Sequence, residues 1–244
     1  RRTALARYHD GIRLFVALRE YLVGIAVGRG RKLGCGWIWD TIWETPAIIA
    51  HAPILVESCR TVGAQQIQNR GTLGGNIANG SPAGDTLPVL LALDAEIEVM
   101  SRDRGSRRIR MAAFYTGYRA LAMEKDELIV AIHLPPRHPD DRCHFRKVGT
   151  RSAQAISKVV MAVRLRVDPT GVVHEARVAL GSVGPCPMRA PSVESALVGR
   201  TVDPGMANRL SRDITPIDDV RSTAEYRMSV AKRVLRCCLE GLAA

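Results

Sequence analysis

The chain has 244 residues, 46% of them hydrophobic and 24% charged, with 35 Lys and Arg against 24 Asp and Glu for a formal net charge of +11. That is an ordinary globular balance, sufficient for one large core or two modest ones, and it excludes a disordered or collagen-like chain. No apolar run approaches the roughly 18 residues of a membrane span, and the basic N-terminus lacks the apolar core of a signal peptide, so a soluble cytoplasmic protein is expected.

Residues 14–22 carry a helical apolar face and 22–27 a short strand pattern. Residues 33–37 read as a strand interrupted by Gly34 and Gly36, residues 39–45 as a helical turn, and Pro46 opens another. Pro53 begins a helix over 54–62 that aligns Leu55, Ser58, Cys59 and Val62, and Gly63 stops it. After a polar stretch at 66–86, which overlaps its start, residues 82–94 read as helical with Leu87, Leu90, Leu91 and Leu93 inward. Residues 96–100 and 108–111 alternate as strands around a charged tip at 102–108, and 127–134 form a third strand, with Phe114 and Tyr115 in a turn before Gly117.

Three prolines within 135–139 make a stiff linker, taken as a domain boundary. Beyond it, residues 143–147, 156–168 and 172–183 are strands, and Ser192 is expected to cap a helix over 193–197. A longer amphipathic helix over 226–242 places Val230, Val234, Cys237, Cys238 and Leu242 on one side. The architecture predicted is α+β, with an antiparallel sheet of three or more strands and helices packed on one of its faces in the second unit. The division expected is 1–32 as an unreadable or truncated segment, 33–136 as one domain and 137–244 as another.

The stretch at 66–86 organises the rest. Its glycines at 71, 74, 75, 80 and 84 permit close approach of a phosphate or flat ring to the main chain. Thr72, Asn76, Asn79, Ser81, Asp85 and Thr86 add hydroxyls, amides and a carboxylate, and successive N–H groups could form an anion-binding concavity. A plain surface loop is the competing reading. The segment is neither a Walker loop nor a dinucleotide fingerprint, because it has no Gly-Lys-Ser/Thr and no G-x-G-x-x-G after a strand.

The six cysteines at 35, 59, 143, 186, 237 and 238 show no C-x-x-C pair, and the six histidines are isolated, so neither a metal site nor a catalytic triad is expected. The positive charge would suit nucleic acid or an acidic partner. The arginine cluster at 102–108 reads instead as a solvated hairpin tip, and aromatic residues at 5% leave few stacking platforms.

Asn69 to Asn76, followed by Ser81-Pro82 and Asp85, resembles the second flavin loop of the molybdenum hydroxylases, in their FAD-binding (medium) subunit. Phe114 to Arg119, Asp126 to Ile129, Phe145 to Arg151 and Asp219 to Arg227 resemble further segments of that family in the same order, over roughly residues 33 to 243. The resemblance implies a partial FAD-binding subdomain of the PCMH type, then a domain like the C-terminal part of the carbon monoxide dehydrogenase flavoprotein.

It also implies an oxidoreductase subunit with FAD as cofactor, an iron–sulfur subunit and a large molybdenum-cofactor subunit as partners, and NAD or another molecule as electron acceptor. Thr72, Leu73, Gly74, Gly75 and Asn76 match the loop around the flavin's phosphate and ribityl chain, with Arg70, Gly71, Asn79 and Ser81 in the same cofactor set. Asp85 matches an acidic residue at the sugar chain, Ile129 a main-chain contact and Lys147 a basic residue near the isoalloxazine. The competing roles are a loop glycine, an Asp opening a helix, a core Ile and a surface Lys. Relatives carry a first flavin turn of the Ala-Gly-Gly-Thr/Ser type that residues 1–32 lack, so the chain is expected to be truncated there and to hold FAD weakly. A stand-alone flavin oxidase of the vanillyl-alcohol-oxidase type is the alternative, with a basic nucleic-acid-binding module behind it.

Overall fold

Proline sets the start of helix after helix: Pro46, Pro53, Pro88 and Pro191 each stand in a first turn, where the fixed φ suits the helix and the missing N–H has no partner to lose. The computed structural model describes residues 31–34 and 36–243. The elements expected over 14–27 and the expected truncation lie outside the described residues.

In chain order the elements are β1 (Arg31–Gly34), α1 (Trp39–Glu44), α2 (Pro46–His51), α3 (Pro53–Arg60), α4 (Gln65–Gln68), α5 (Leu73–Asn79) and α6 (Leu87–Ala92). There follow β2 (Glu96–Ser101), β3 (Gly105–Arg110), α7 (Met111–Phe114), β4 (Tyr115–Gly117), β5 (Ala120–Leu121) and β6 (Leu128–Leu134). The last group is β7 (Asp141–Val148), β8 (Val159–Val167), β9 (Val173–Gly181), β10 (Met188–Arg189), α8 (Pro191–Leu197), a 3-10 helix (Pro204–Arg212) and α9 (Ala224–Ala243).

Among the described residues two four-stranded sheets form, ordered β1-β6-β2-β3 and β10-β9-β8-β7, with β4 and β5 as a small separate hairpin, and each of these pairings is antiparallel. The second sheet is the expected α+β unit, but it is buried on both faces. Phe145, Val160, Ala162 and Ala179 point into a core shared with α1, α3, α5 and α6, whereas Val159, Met161, Val163 and Leu165 face α8, α9 and the 3-10 helix. This is why β8 reads as a nearly unbroken apolar run rather than an alternating one.

Several boundaries move for local reasons. Residues 82–86 fold as tight turns, with Gly84 N–H donating to Ser81 O at 2.9 Å, so the helix expected from 82 begins at Leu87. β8 begins at Val159 rather than 156, because Ser157 turns its hydroxyl to Asp85. Ser192 is not a cap; the Asp213 carboxylate accepts from the Ser192 and Val193 N–H groups instead, so a residue distant in sequence satisfies the helix start.

The buried stripe of α9 is Arg227, Ala231, Leu235, Cys238, Leu239 and Leu242, and Cys237 is exposed. Apolar patterning assigns the neighbouring stripe because it discards the inward-facing Arg227. At the hairpin tip, Arg104 pairs with Asp126 and Arg107 forms a two-pronged pair with Glu127. The 135–139 linker is fastened to α2, where His51 Nε2 contacts Pro135 O at 2.8 Å and Arg137 donates to Ala50 O at 3.0 Å. Among the described residues, no helix is long and apolar enough to cross a membrane.

Candidate functional site

The polar stretch at 66–86 contains helix where sequence composition suggests loop. Thr72 is the N-cap of α5, its Oγ1 accepting from Gly75 N–H at 3.0 Å, and Gly80 closes the helix with φ of 58°. Two consecutive glycines would weaken a helix standing alone. Here the cap, the burial of Leu73 and Ile77, and a hydrogen bond from Tyr115 Oη to Ile77 O at 2.8 Å hold it. Burial raises the Tyr115 phenol above its ordinary pKa, which keeps that donor protonated.

The open row of amides expected here is narrower in fact. Leu73 N–H donates to Trp37 O at 3.1 Å, Gly75 N–H to its cap, and Asn76 N–H to Thr72 O at 3.0 Å. Gly74, between them, is buried.

From α5 a polar chain leads inward. Thr86 Oγ1 donates to Asn76 Oδ1 at 2.7 Å, and the adjacent Asp85 is buried. Lys147 Nζ donates to Asp85 Oδ2 at 2.6 Å and to Thr61 O at 2.9 Å, and Ser157 Oγ donates to Asp85 Oδ1 at 2.5 Å. Thr61 follows the last residue of α3, so the ammonium also meets the negative end of that helix. The side chains of Lys147 and Asp85 are 13% and 7% exposed. Burial pushes the Asp85 carboxyl above its ordinary value, opposed by the Lys147 ammonium and by the hydrogen bonds from Lys147, Ser157 and Thr61.

The expected residues thus fall into groups. Thr72, Leu73, Gly74, Gly75 and Asn76 share α5, and Asp85 and Lys147 form one ion pair joined to Asn76 through the neighbouring Thr86. Ile129 lies on β6, against which α5 packs; its side chain is buried, and among the described residues β1 pairs with β6 over Ala131 to Leu134. Ser81 Oγ accepts from Ala83 N–H at 3.3 Å and shapes the turn. Arg70 and Asn79 are exposed at the two ends of the stretch. Gly71 is half-buried ahead of the cap.

Thr61, Ser157 and Trp39 belong to the same assembly without a sequence signal, since each acts across a separation of 24 to 72 residues or through one indole edge. Tyr115, within the family-like segment 114–119, joins them through its bond to Ile77 O. The six-residue α1 packs Trp39 beneath the stretch. A Cβ on Gly71 would stand 2.8 Å from Trp39 Nε1 and 2.8 Å from Ile67 O, so only glycine fits.

These residues fit an oxygen-rich, phosphate-bearing cofactor. Trp39 Nε1 is a buried donor without a partner beside Gly71, and a Cβ on Gly75 would lie 3.0 Å from the capping Thr72 Oγ1. Donors and missing side chains along one glycine-rich edge suit phosphate and hydroxyl oxygens at close range. The Asp85–Lys147 pair adds a carboxylate acceptor and an ammonium with a third N–H. Among the described residues no group of three or more His, Cys, Asp and Glu is placed to hold a metal ion.

Comparison with known proteins gives two family matches: the FAD binding domain in molybdopterin dehydrogenase over residues 28–137, and the CO dehydrogenase flavoprotein C-terminal domain over 144–242. The chain is 28% identical over 211 residues to the putative xanthine dehydrogenase FAD-binding subunit of Escherichia coli, covering 84% of this chain and 71% of that protein. It is 30% identical over 200 residues to the nicotine 6-hydroxylase medium subunit of Paenarthrobacter nicotinovorans, covering 80% and 69%. The structure of reconstituted CO dehydrogenase from Oligotropha carboxidovorans matches with a TM-score of 0.83 at 28% identity, over 90% of this chain and 77% of that one.

Proposed function

The chain belongs to the FAD-binding medium subunits of the molybdenum hydroxylases, oxidoreductase components with FAD as cofactor, and from that premise we propose that it is the electron-transfer subunit of such a complex. In this reading electrons arrive from an iron–sulfur subunit, which receives them from a large molybdenum-cofactor subunit, and leave for NAD or another acceptor. Bound FAD supplies the redox chemistry, and the protein supplies position and electrostatics.

The cofactor-facing roles are assigned to the residues already placed. The glycine-rich edge of α5 binds phosphate oxygens, with Thr72 keeping the helix start in place. Asn76, oriented by Thr86, and Asp85 accept from the hydroxyls of the ribityl chain. Lys147 lies toward the ring system, where its ammonium favours added negative charge, and Ile129 offers main-chain atoms on β6. Residues 33–136 form the cofactor-binding unit and 137–244 the second unit, which contributes Lys147 and Ser157 to the site.

The observation that carries this reading is the buried Asp85–Lys147 pair, at 2.6 Å, together with a glycine-rich helix start beside the unpartnered Trp39 Nε1. A buried ion pair stabilises weakly for its desolvation, whereas a fixed carboxylate and ammonium beside a phosphate cradle suit a polar, charged cofactor. Titration with FAD, followed by flavin fluorescence, tests it. Saturation at one FAD per wild-type chain is expected, with binding lost in a folded Gly75→Val variant whose side chain occupies the cradle. Equal affinities in the two proteins would move the site elsewhere.

A further inference from the structure

The segment Asp219 to Arg227 has no part in the site described above, yet its last residue is connected to it. Arg227 sits on the buried face of α9 and is 5% exposed. Its Nη2 donates to Asp219 Oδ1 at 2.6 Å and its Nη1 to Ser182 O at 3.2 Å. Asp219 is preset by its own turn, Oδ1 also accepting from the Arg221 and Ser222 N–H groups, and the Arg227 hydrogen bond holds its carboxyl below the usual range. Ser182 N–H in turn donates to Pro82 O at 2.8 Å. The backbone is pressed close here: a Cβ on Gly181 would stand 2.9 Å from Pro82 O and 2.7 Å from Val160 Cγ1. Pro82 lies three residues before Asp85.

This linkage is poorly built for stability alone. Ser182 is held at φ of 64°, which is unfavourable for a residue with a side chain, and Ser182 Oγ and Arg227 Nε are buried without hydrogen-bond partners. Strain and unmet polar groups gathered at one point beside a ligand-binding stretch indicate a position imposed by function. We propose that Arg227 is a positioning residue for the cofactor: through Ser182 it fixes Pro82, and so sets where Asp85 stands against FAD. This rests on the FAD reading above and adds to it a residue at the far end of the sequence.

The test uses the full chain with Arg227→Met, Asp219→Asn and, as a control in the core under the same helix, Leu235→Ala. FAD affinity is read by fluorescence titration, melting temperature by circular dichroism, and the Ser182 amide by hydrogen exchange without ligand. Arg227→Met is expected to raise the FAD Kd about tenfold and to speed exchange at Ser182. Leu235→Ala should lower the melting temperature at least as much, with wild-type Kd. Unchanged Kd in folded Arg227→Met, or an equal Kd shift in Leu235→Ala, overturns the proposal. If Arg227→Met does not fold, Asp219→Asn is read by the same contrasts. If the wild-type chain takes up no FAD, the cofactor reading falls by itself. The exchange contrast then decides whether Arg227 positions the stretch, faster exchange in Arg227→Met alone supporting it and equal rates in all variants refuting it.

Discussion

Replacing Lys147 with Met keeps the aliphatic stem and removes the ammonium that faces Asp85 across 2.6 Å. Asp85 would then be a buried carboxylate with the Ser157 hydroxyl at 2.5 Å and the more distant Thr61 hydroxyl at 3.4 Å as its donors. Removing one partner of a buried ion pair costs on the order of 3–5 kcal/mol, and the surviving hydrogen bonds place this case near 3 kcal/mol. For a chain of this size that is roughly 6–12 °C in melting temperature. Asp85 already lies above its ordinary value through burial, and losing Lys147 raises it further. A carboxyl whose folded value exceeds its unfolded value contributes stability that is fully present below the unfolded value, near 4, and lost as pH rises through the folded one. The variant's deficit should therefore be large at neutral pH and shrink as pH falls toward about 4. Urea unfolding of both proteins across that range measures it, and the Asp85→Asn, Lys147→Met double variant should regain most of the loss at neutral pH. A deficit independent of pH would show that Asp85 is not the group left unpaired.

Gly71→Ala should destabilise the chain by about 1–3 kcal/mol, because its Cβ meets Trp39 Nε1 and Ile67 O at 2.8 Å; a wild-type melting curve would show that the indole yields freely. Arg107→Gln should flatten the acid limb of stability. The Arg107 hydrogen bonds hold the Glu127 carboxyl below its ordinary value, so that contribution is present above the unfolded value and lost as pH falls through the lowered one. Superimposable urea midpoints of the two proteins at neutral pH, or a difference between them that persists unchanged at acid pH, would refute it.

The parts of this molecule that were legible in its sequence are those where one physical signal dominates locally. The alternation in β2, the β-branched run of β8 and the proline at the start of α3 each announce their element. The stretch at 66–86 announces itself through its glycines, although α5 within it depends on a cap and on tertiary burial that composition does not display. What stayed hidden acts at a distance. Asp213 caps a helix 20 residues away, Ser157 holds Asp85 across 72 positions, and Arg227 faces inward because Asp219 and Ser182 receive it. In each case a polar side chain takes a place that patterning reserves for apolar ones, and its partner is known only once the chain has folded.

Electron delivery to FAD on this chain is the most direct test of the account. The FAD-loaded chain would be combined anaerobically with iron–sulfur and molybdenum-cofactor subunits from the same host, the complex supplied with its reducing substrate, and the visible flavin band followed. The account predicts a stable complex with one FAD per copy of this chain, and bleaching of the flavin that requires the iron–sulfur subunit. A chain that purifies from its host as a lone monomer, or a bound flavin that stays oxidised while the iron–sulfur partner is reduced, would contradict it.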